Sequence, residues 1–284
     1  MKWKIVSDSS CDLRGADYAC EETGFSTVPF FIRIGEKEYE DAEDMDAVEM
    51  VGAMEQCPEL GSTACPAPMA WADEFREAEQ VIAITISKNL SGSFSSAVAG
   101  RDISLTEDPS RRIAVLNSRS TGPALAMCIG HMVEWIKEGK PFEQVTELAT
   151  DLLRNTKTVF TKTVFTLSCF DNLVKNGRMS KFTGFVAKKL GMWGIGIGNS
   201  EGRIAMKGKT RGVSRVVNAI IEDMRERGFR SREIIISHCQ NPALAEKLRD
   251  RVLEHWSNAK ITILKTRGLD SFYAERGGLI VAYN

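Results

Sequence analysis

Apolar residues in the first half of the chain fall into short runs, each ending in a polar turn. Residues 3–6 (WKIV) lead into Ser7-Asp8-Ser9-Ser10, residues 81–86 (VIAITI) into Ser87, and residues 112–116 (RIAVL) into Asn117-Ser118. Runs this short and continuous predict buried strands. Residues 25–34, rich in Val, Phe and Ile, predict another strand, closed by a turn at Gly35-Glu36-Lys37-Glu38. Leu125, Ile129, Met132 and Ile136 recur at helical spacing up to Gly139, and Val145, Leu148 and Leu152 mark the next helix. Strands alternating with helices predict a parallel sheet in an α/β domain. Ligands of such sheets sit beyond the carboxyl ends of the strands, so the polar turns after Val6, Ile86 and Leu116 are expected along one edge.

The second half opens with a duplication: residues 156–160 (TKTVF) recur at once as 161–165. Nothing else recurs at that period, so this is no repeat architecture. Both copies are strand-like, and the first is open to the simpler role of lengthening a connection between two domains. We place the boundary near residue 160, giving N-terminal (1–160) and C-terminal (161–284) α/β domains. Residues 173–180 lead into an apolar, Gly-rich stretch, then a turn at Asn199-Ser200-Glu201-Gly202. The helix expected next carries Val213, Val217, Ile220, Ile221 and Met224. Residues 233–236 predict a strand. Asn241-Pro242 then starts a helix, with Asn as cap and Pro at the first helical position. Its buried face is Leu244, Leu248 and Val252, and residues 261–264 and 279–281 predict closing strands.

Charge narrows the partners. The 284 residues hold 37 Lys+Arg and 38 Asp+Glu, a net charge of −1, which excludes the electrostatic footprint of a general nucleic-acid or polybasic membrane binder. No apolar run approaches the ~18 residues that span a bilayer. Lys2 and Lys4 are followed only by Ile5 and Val6, which is no signal peptide, so a cytoplasmic protein without a transmembrane segment is expected. Seven cysteines are scattered, with no C-x-x-C pair, and read as reduced thiols. Three separated histidines give no metal motif. The acidic stretch 40–46 lacks the glycine and spacing of a calcium loop and reads as a solvated helix start.

Two glycine patterns carry little. Gly194, Gly196 and Gly198 do not satisfy G-x-G-x-x-G, and Gly208-Lys209-Thr210 lacks the earlier glycine of a phosphate loop. Residues 90–97 (LSGSFSSA) say more. They lie between the polar end of a core strand and a helix start, where hydroxyls and free N–H groups cap a helix or hold an anionic group. Thr63-Ala64-Cys65-Pro66 is a second hydroxyl-bearing turn. Neither turn has a general base beside it, so the hydroxyls suit binding better than nucleophilic catalysis.

With these segments assembled, the chain resembles the DegV family of bacterial fatty-acid-binding proteins. The resemblance rests on Val6-Ser7-Asp8-Ser9-Ser10 with Asp12-Leu13, residues 35–41 (GEKEYED), Thr63-Ala64-Cys65-Pro66-Ala67-Pro68 against the family's T-S-Q-P-S-P, and Leu90-Ser91-Gly92-Ser93. Asn117-Ser118, Asn176-Gly177-Arg178-Met179-Ser180, Arg211-Gly212 and Ser237-His238 complete it. It implies a two-domain α/β fold, each domain a mostly parallel sheet flanked by helices, with a long-chain fatty acid buried between them. It also implies a separate kinase subunit to which the acyl carboxylate is presented. Thr63 and Ser91 map onto the family's carboxylate-binding residues, with Ser93 a neighbour of the head group. Departures are Ala64 and Cys65 for Ser and Gln, Asn176 for Gly, and the loss of G-T-H-T-G-P-G, whose histidine falls on Tyr273.

No cofactor or metal is implied beyond the bound lipid. Burying about sixteen carbons is worth on the order of 12 kcal/mol gross at ~0.8 kcal/mol per CH₂, against ~1.5–3 kcal/mol for a charge-assisted hydrogen bond to the carboxylate. The tail would set affinity and the hydroxyls orientation. Met179, Phe182, Phe185, Met192 and Trp193 are candidates for lining the tail, or plain core. Arg178, Lys207, Lys209 and Arg211 form a basic set suited to docking a partner, or a solvated surface. Two other classes remain open: an enzyme acting on a small phosphorylated or acyl substrate, and a lipid-sensing adaptor.

Overall fold

The computed structural model describes residues 2–14, 23–164, 192–230 and 232–284. The first apolar run becomes β1 (Trp3–Asp8) and ends in a 3-10 turn over Ser9–Cys11. β2 (Thr23–Val28), β3 (Phe31–Ile34) and β4 (Lys37–Glu40) follow. The single strand expected over 25–34 is therefore two. Pro29 has no N–H to extend a ladder, and the chain changes sheet there. α1 (Ala47–Gln56) starts at Asp46, whose carboxylate accepts from the Val48 and Glu49 N–H groups at 2.8 and 3.1 Å. β5 (Ser62–Ala64), α2 (Pro68–Phe75), β6 (Gln80–Thr85), α3 (Ser93–Glu107), β7 (Arg112–Asn117), α4 (Pro123–Lys137) and α5 (Phe142–Asn155) complete the first half.

Strands β2-β1-β6-β7, in that order, form the parallel sheet that the alternation predicted. Its central strands are covered on both faces, which is why their sequences are mainly apolar, the buried Lys4 of β1 being paired with Glu74 and Glu77. Val6, Val81 and Ala83 pack with Trp71, Phe75 and Ala97 of α2 and α3. Ile5, Ile82 and Ile84 pack with Leu125, Ile129 and Val145 of α4 and α5. Close approach of α2 and α3 requires Gly100, because a Cβ there would lie 2.6 Å from the Pro68 carbonyl oxygen and 2.7 Å from Trp71 Cβ. β4-β3-β5 make a small antiparallel sheet beside this domain.

The second domain contains β8 (Lys157–Val164), β9 (Met192–Gly198), β10 (Ile204–Arg211), α6 (Val213–Glu226), β11 (Glu233–His238), α7 (Pro242–His255), β12 (Lys260–Lys265), α8 (Gly268–Ala274) and β13 (Leu279–Tyr283). Its strand order is β10-β9-β8-β13-β11-β12. The mostly parallel sheet expected of each domain holds for the first domain only. Here β11 and β12 are parallel and the other four pairings are antiparallel. Two features account for three of the four antiparallel pairings. The Asn199–Gly202 turn joins β9 to β10 as a hairpin, where the pattern had passed straight to a helix. The last strand, β13, inserts between β8 and β11, antiparallel to both. The first TKTVF copy is no spacer either: it lies in β8 and pairs with both β13 and β9.

Val159, Leu279, Val281 and Tyr283 face α6 and α7. On the other face of this sheet, Ile235 and Ala282 join the core of the first domain. Helix α4 lies between the two sheets, which explains why ten of its residues are buried rather than a single stripe. Among the described residues, no helix is long and apolar enough to cross a membrane.

Candidate functional site

The two hydroxyl-bearing turns lie side by side. Thr63 is the middle residue of β5, and Ser91 belongs to the turn leading into α3. A Cβ on Gly92 would lie 3.3 Å from Cys65 Sγ, and Ser96 Oγ donates to the Pro66 carbonyl at 2.5 Å. Thr63 Oγ1 lies 2.9 Å from the hydroxyl of Tyr273, which α8 brings from 210 residues along the chain. Both are partly exposed. Thr63 and Tyr273, both set near the head group by the family resemblance, are thus brought into contact. They border an apolar cluster of Phe30, Ile86 and Leu90 from the first domain with Ile204 and Leu269 from the second, against which Cys65, Phe160, Met206 and Tyr273 also pack.

Ser91 is held by its neighbours. Its N–H donates to the Ser87 carbonyl at 3.1 Å, and its Oγ accepts the Ser93 N–H at 3.2 Å. Ser93 is fully buried and turns inward, where its Oγ donates to Asp8 Oδ2 at 2.6 Å. Asp8 also accepts from the Ile86 N–H at 2.9 Å and from Ser10 Oγ at 2.5 Å. Burial pushes the Asp8 carboxyl up from its ordinary range, with the Ser10 and Ser93 hydroxyls opposing. Ser93 therefore ties the turn to β1 and supports Ser91 from below.

The remaining candidates separate. Trp193 is buried with Ile195 and Val217 on the α6/α7 face of the second sheet, opposite Phe160 and remote in direction from Thr63. Met192, at the start of β9, is half-buried. Met179, Phe182, Phe185 and Arg178 lie outside the described residues. Gly194, Gly196 and Gly198 occupy strand β9 and not a turn, and Gly208-Lys209-Thr210 lies in β10, so neither is a phosphate loop. Lys207 is the extra residue of a bulge in β10. Its Nζ pairs with Asp223 at 2.8 Å and Glu226 at 2.5 Å on α6. Lys209 and Arg211 are exposed and make no ion pair among the described residues.

Sequence reading missed a buried polar network under α8. Asp41, placed in the solvated acidic stretch, is 1% exposed. Its carboxylate accepts the Gly268 and Leu269 N–H groups, both at 2.9 Å, and so caps α8 from a distant loop. Arg267 is 2% exposed. It donates to the Leu13 carbonyl at 2.7 Å, Thr27 Oγ1 at 3.0 Å and the Asp41 carbonyl at 2.5 Å. Asp12 and Asp270 complete the network. Asp12 and Asp41 both lie in segments that carry the family resemblance, but nothing local marks either as buried, and Asp270 carries no local signal. Among the described residues, no group of three or more His, Cys, Asp or Glu is arranged to hold a metal ion.

Known proteins share this architecture. A family model described as "Uncharacterised protein, DegV family" matches residues 2–283, and the chain belongs to the DegV family. A DegV domain-containing protein of Streptococcus pyogenes serotype M1 is 35% identical over 283 residues, covering 100% of this chain and 99% of the relative. The solved structure of the Streptococcus pneumoniae fatty acid kinase (Fak) B3 protein loaded with linoleic acid is similar with a TM-score of 0.93. It is 33% identical and covers 100% of this chain and 99% of that one. A DegV family protein from Eubacterium eligens loaded with heptadecanoic acid has a TM-score of 0.92 at 29% identity, covering 99% of both chains.

Proposed function

We propose that this protein binds one long-chain fatty acid between its two domains, divided near residue 160 at the start of β8, with the carboxylate at Thr63, Ser91 and Tyr273 and no chemistry of its own. The observation that carries this reading is the 2.9 Å contact between Thr63 Oγ1 and the Tyr273 hydroxyl at the rim of an apolar cluster built by both domains. Hydroxyls at this rim donate to a carboxylate while the alkyl chain lies against Phe30, Leu90 and Ile204. The similar proteins loaded with linoleic and heptadecanoic acids support the ligand class. The likeness to the Fak B3 protein supports a cytoplasmic role in which the carboxylate is presented to a separate kinase subunit. Mass spectrometry of an organic extract of the purified protein tests the reading. One equivalent of fatty acid is expected. A co-purified phosphorylated metabolite, or no saturable fatty-acid binding after delipidation, would overturn it.

A further inference from the structure

Helix α8 carries Tyr273, and one turn earlier it carries Asp270, which is 2% exposed. Asp270 Oδ1 accepts Thr121 Oγ1 at 2.8 Å, but Oδ2 is buried without a hydrogen-bond partner. Asp12, from the first domain, shows the same asymmetry. Its Oδ1 accepts the Arg267 N–H at 2.8 Å, and its Oδ2 has no partner. The two unpartnered oxygens converge over Gly122, at the start of α4. A Cβ built on Gly122 would collide with Asp270 Oδ2 and lie 2.9 Å from Asp12 Oδ2. Gly122 has φ +55°, and its N–H donates to the Ser10 carbonyl at 2.7 Å.

Two ionised carboxylates cannot face each other in such a place, because burial penalises each charge and each repels the other. Apart from the Ser237 hydroxyl, which faces Asp12 and opposes its protonation, a proton on one carboxyl supplies the donor that these oxygens lack. We propose that Asp12 and Asp270 share one proton between their Oδ2 atoms, and that this shared proton is a positioning device holding α8, and with it the Tyr273 hydroxyl, against Thr63. When the proton leaves to solvent, the two charges drive α8 from the first domain and weaken the head-group site. The second step rests on the head-group reading above; the shared proton itself does not.

The surrounding charges leave this arrangement standing. Arg267 faces the pair, but Asp41 already lies 3.7 Å from its Nε. Asp8, from β1, adds another buried carboxyl. Cys11 and Cys239 are neutral thiols, pushed up by burial to about 12 and about 11. His238 at the end of β11 is held below its usual range, chiefly by burial, and so is neutral near pH 7. α1 faces α8 with Met50 and Met54, while its Glu49 and Glu55 pair with Lys37 and Arg276. β3 and β8 face it with Ile32 and Phe160, and the opening turns of α4, residues 123–128, carry no charge. Burial is the main cause that pushes the Asp12 carboxyl up to about 7 and holds Asp270 well above the ordinary range, the latter raised further by Asp12.

The test uses the full-length protein and its Asp270→Asn variant, whose amide supplies a permanent donor to Asp12 while still accepting from Thr121. Binding of 11-(dansylamino)undecanoic acid is measured between about pH 6.5 and 9, where that probe's carboxylate stays ionised. Wild type is expected to lose about tenfold or more in affinity across this range, and Asp270→Asn to stay flat. Equal pH profiles would overturn the coupling to Tyr273. Denaturant unfolding without probe reads the proton alone: wild type loses more stability with rising pH than Asp270→Asn, and equal slopes overturn the shared proton. If wild type binds no probe at any pH, the head-group reading and its coupling fall while the unfolding slopes still decide the proton. Asp12→Asn, tolerated at φ +60°, repeats both measurements should Asp270→Asn fail to fold.

Discussion

Thr63, Ser91 and Tyr273 differ in how they are held, and that difference sets what their removal does. Ser91 is fixed by its own turn, whereas Thr63 and Tyr273 meet only because α8 docks on the first domain. If the carboxylate sits as proposed, replacing Thr63 or Ser91 by Ala removes a donor to it and leaves the tail contacts. Affinity should fall by about 1–3 kcal/mol, or about 5- to 150-fold, in a fatty-acid titration at matched stability. A Thr63→Ala, Ser91→Ala double variant that binds like wild type would remove both from the site. Tyr273→Phe keeps the ring and loses the hydroxyl, so a weakening of about 1 kcal/mol is expected in the same titration. Unchanged affinity would leave Tyr273 a packing residue. Asp41 is structural: Asp41→Ala uncaps α8 and strands the Arg267 charge. It should cost about 3–5 kcal/mol of unfolding free energy in denaturant.

Strand β10 shows how one basic set divides by element geometry. The bulge turns Lys207 toward α6, where the fully buried Asp223 also pairs with Arg227 Nε at 3.3 Å and accepts from the Tyr283 hydroxyl at 2.7 Å. Lys209 and Arg211 stay at the edge of the sheet. Lys207→Ala should therefore destabilise the fold by about 1–3 kcal/mol, measured by denaturant unfolding. Arg211→Ala should leave stability and fatty-acid affinity unchanged while lowering acyl phosphate production with a kinase subunit. Equal production by Arg211→Ala and wild type would mark Arg211 as solvated surface. Sequence chemistry grouped these residues because it reads charge and spacing; it does not read a bulge, which depends on the partner strand.

Across the whole molecule, the two domains meet through the buried carboxyls Asp12, Asp41 and Asp270, with Asp8 buried inside the first domain; all four are held above their ordinary range, each chiefly by burial. In the folded chain these groups keep protons that the unfolded chain has released above about pH 4. Stability should accordingly fall as pH rises from about 4, and level off only once the folded-state carboxyls have ionised, with Asp12 reaching that point at about 7. Unfolding free energies measured at intervals across this range check the sign; a rise towards pH 7 would contradict it. What the sequence determined by itself was local. The apolar runs that became β1, β6 and β7, the Asn241 cap of α7 and the hydroxyls of the Thr63 and Ser91 turns all depend on neighbours within a few residues. Tertiary structure alone decided the antiparallel second sheet, the burial of Asp41, the inward turn of Ser93 and the meeting of Thr63 with Tyr273. Each of these is fixed by a partner far along the chain, such as β13 between β8 and β11 or the main-chain N–H groups of α8 on Asp41. Hydrogen bonding and burial between such partners follow from where the chain returns, and no local pattern of residues encodes that.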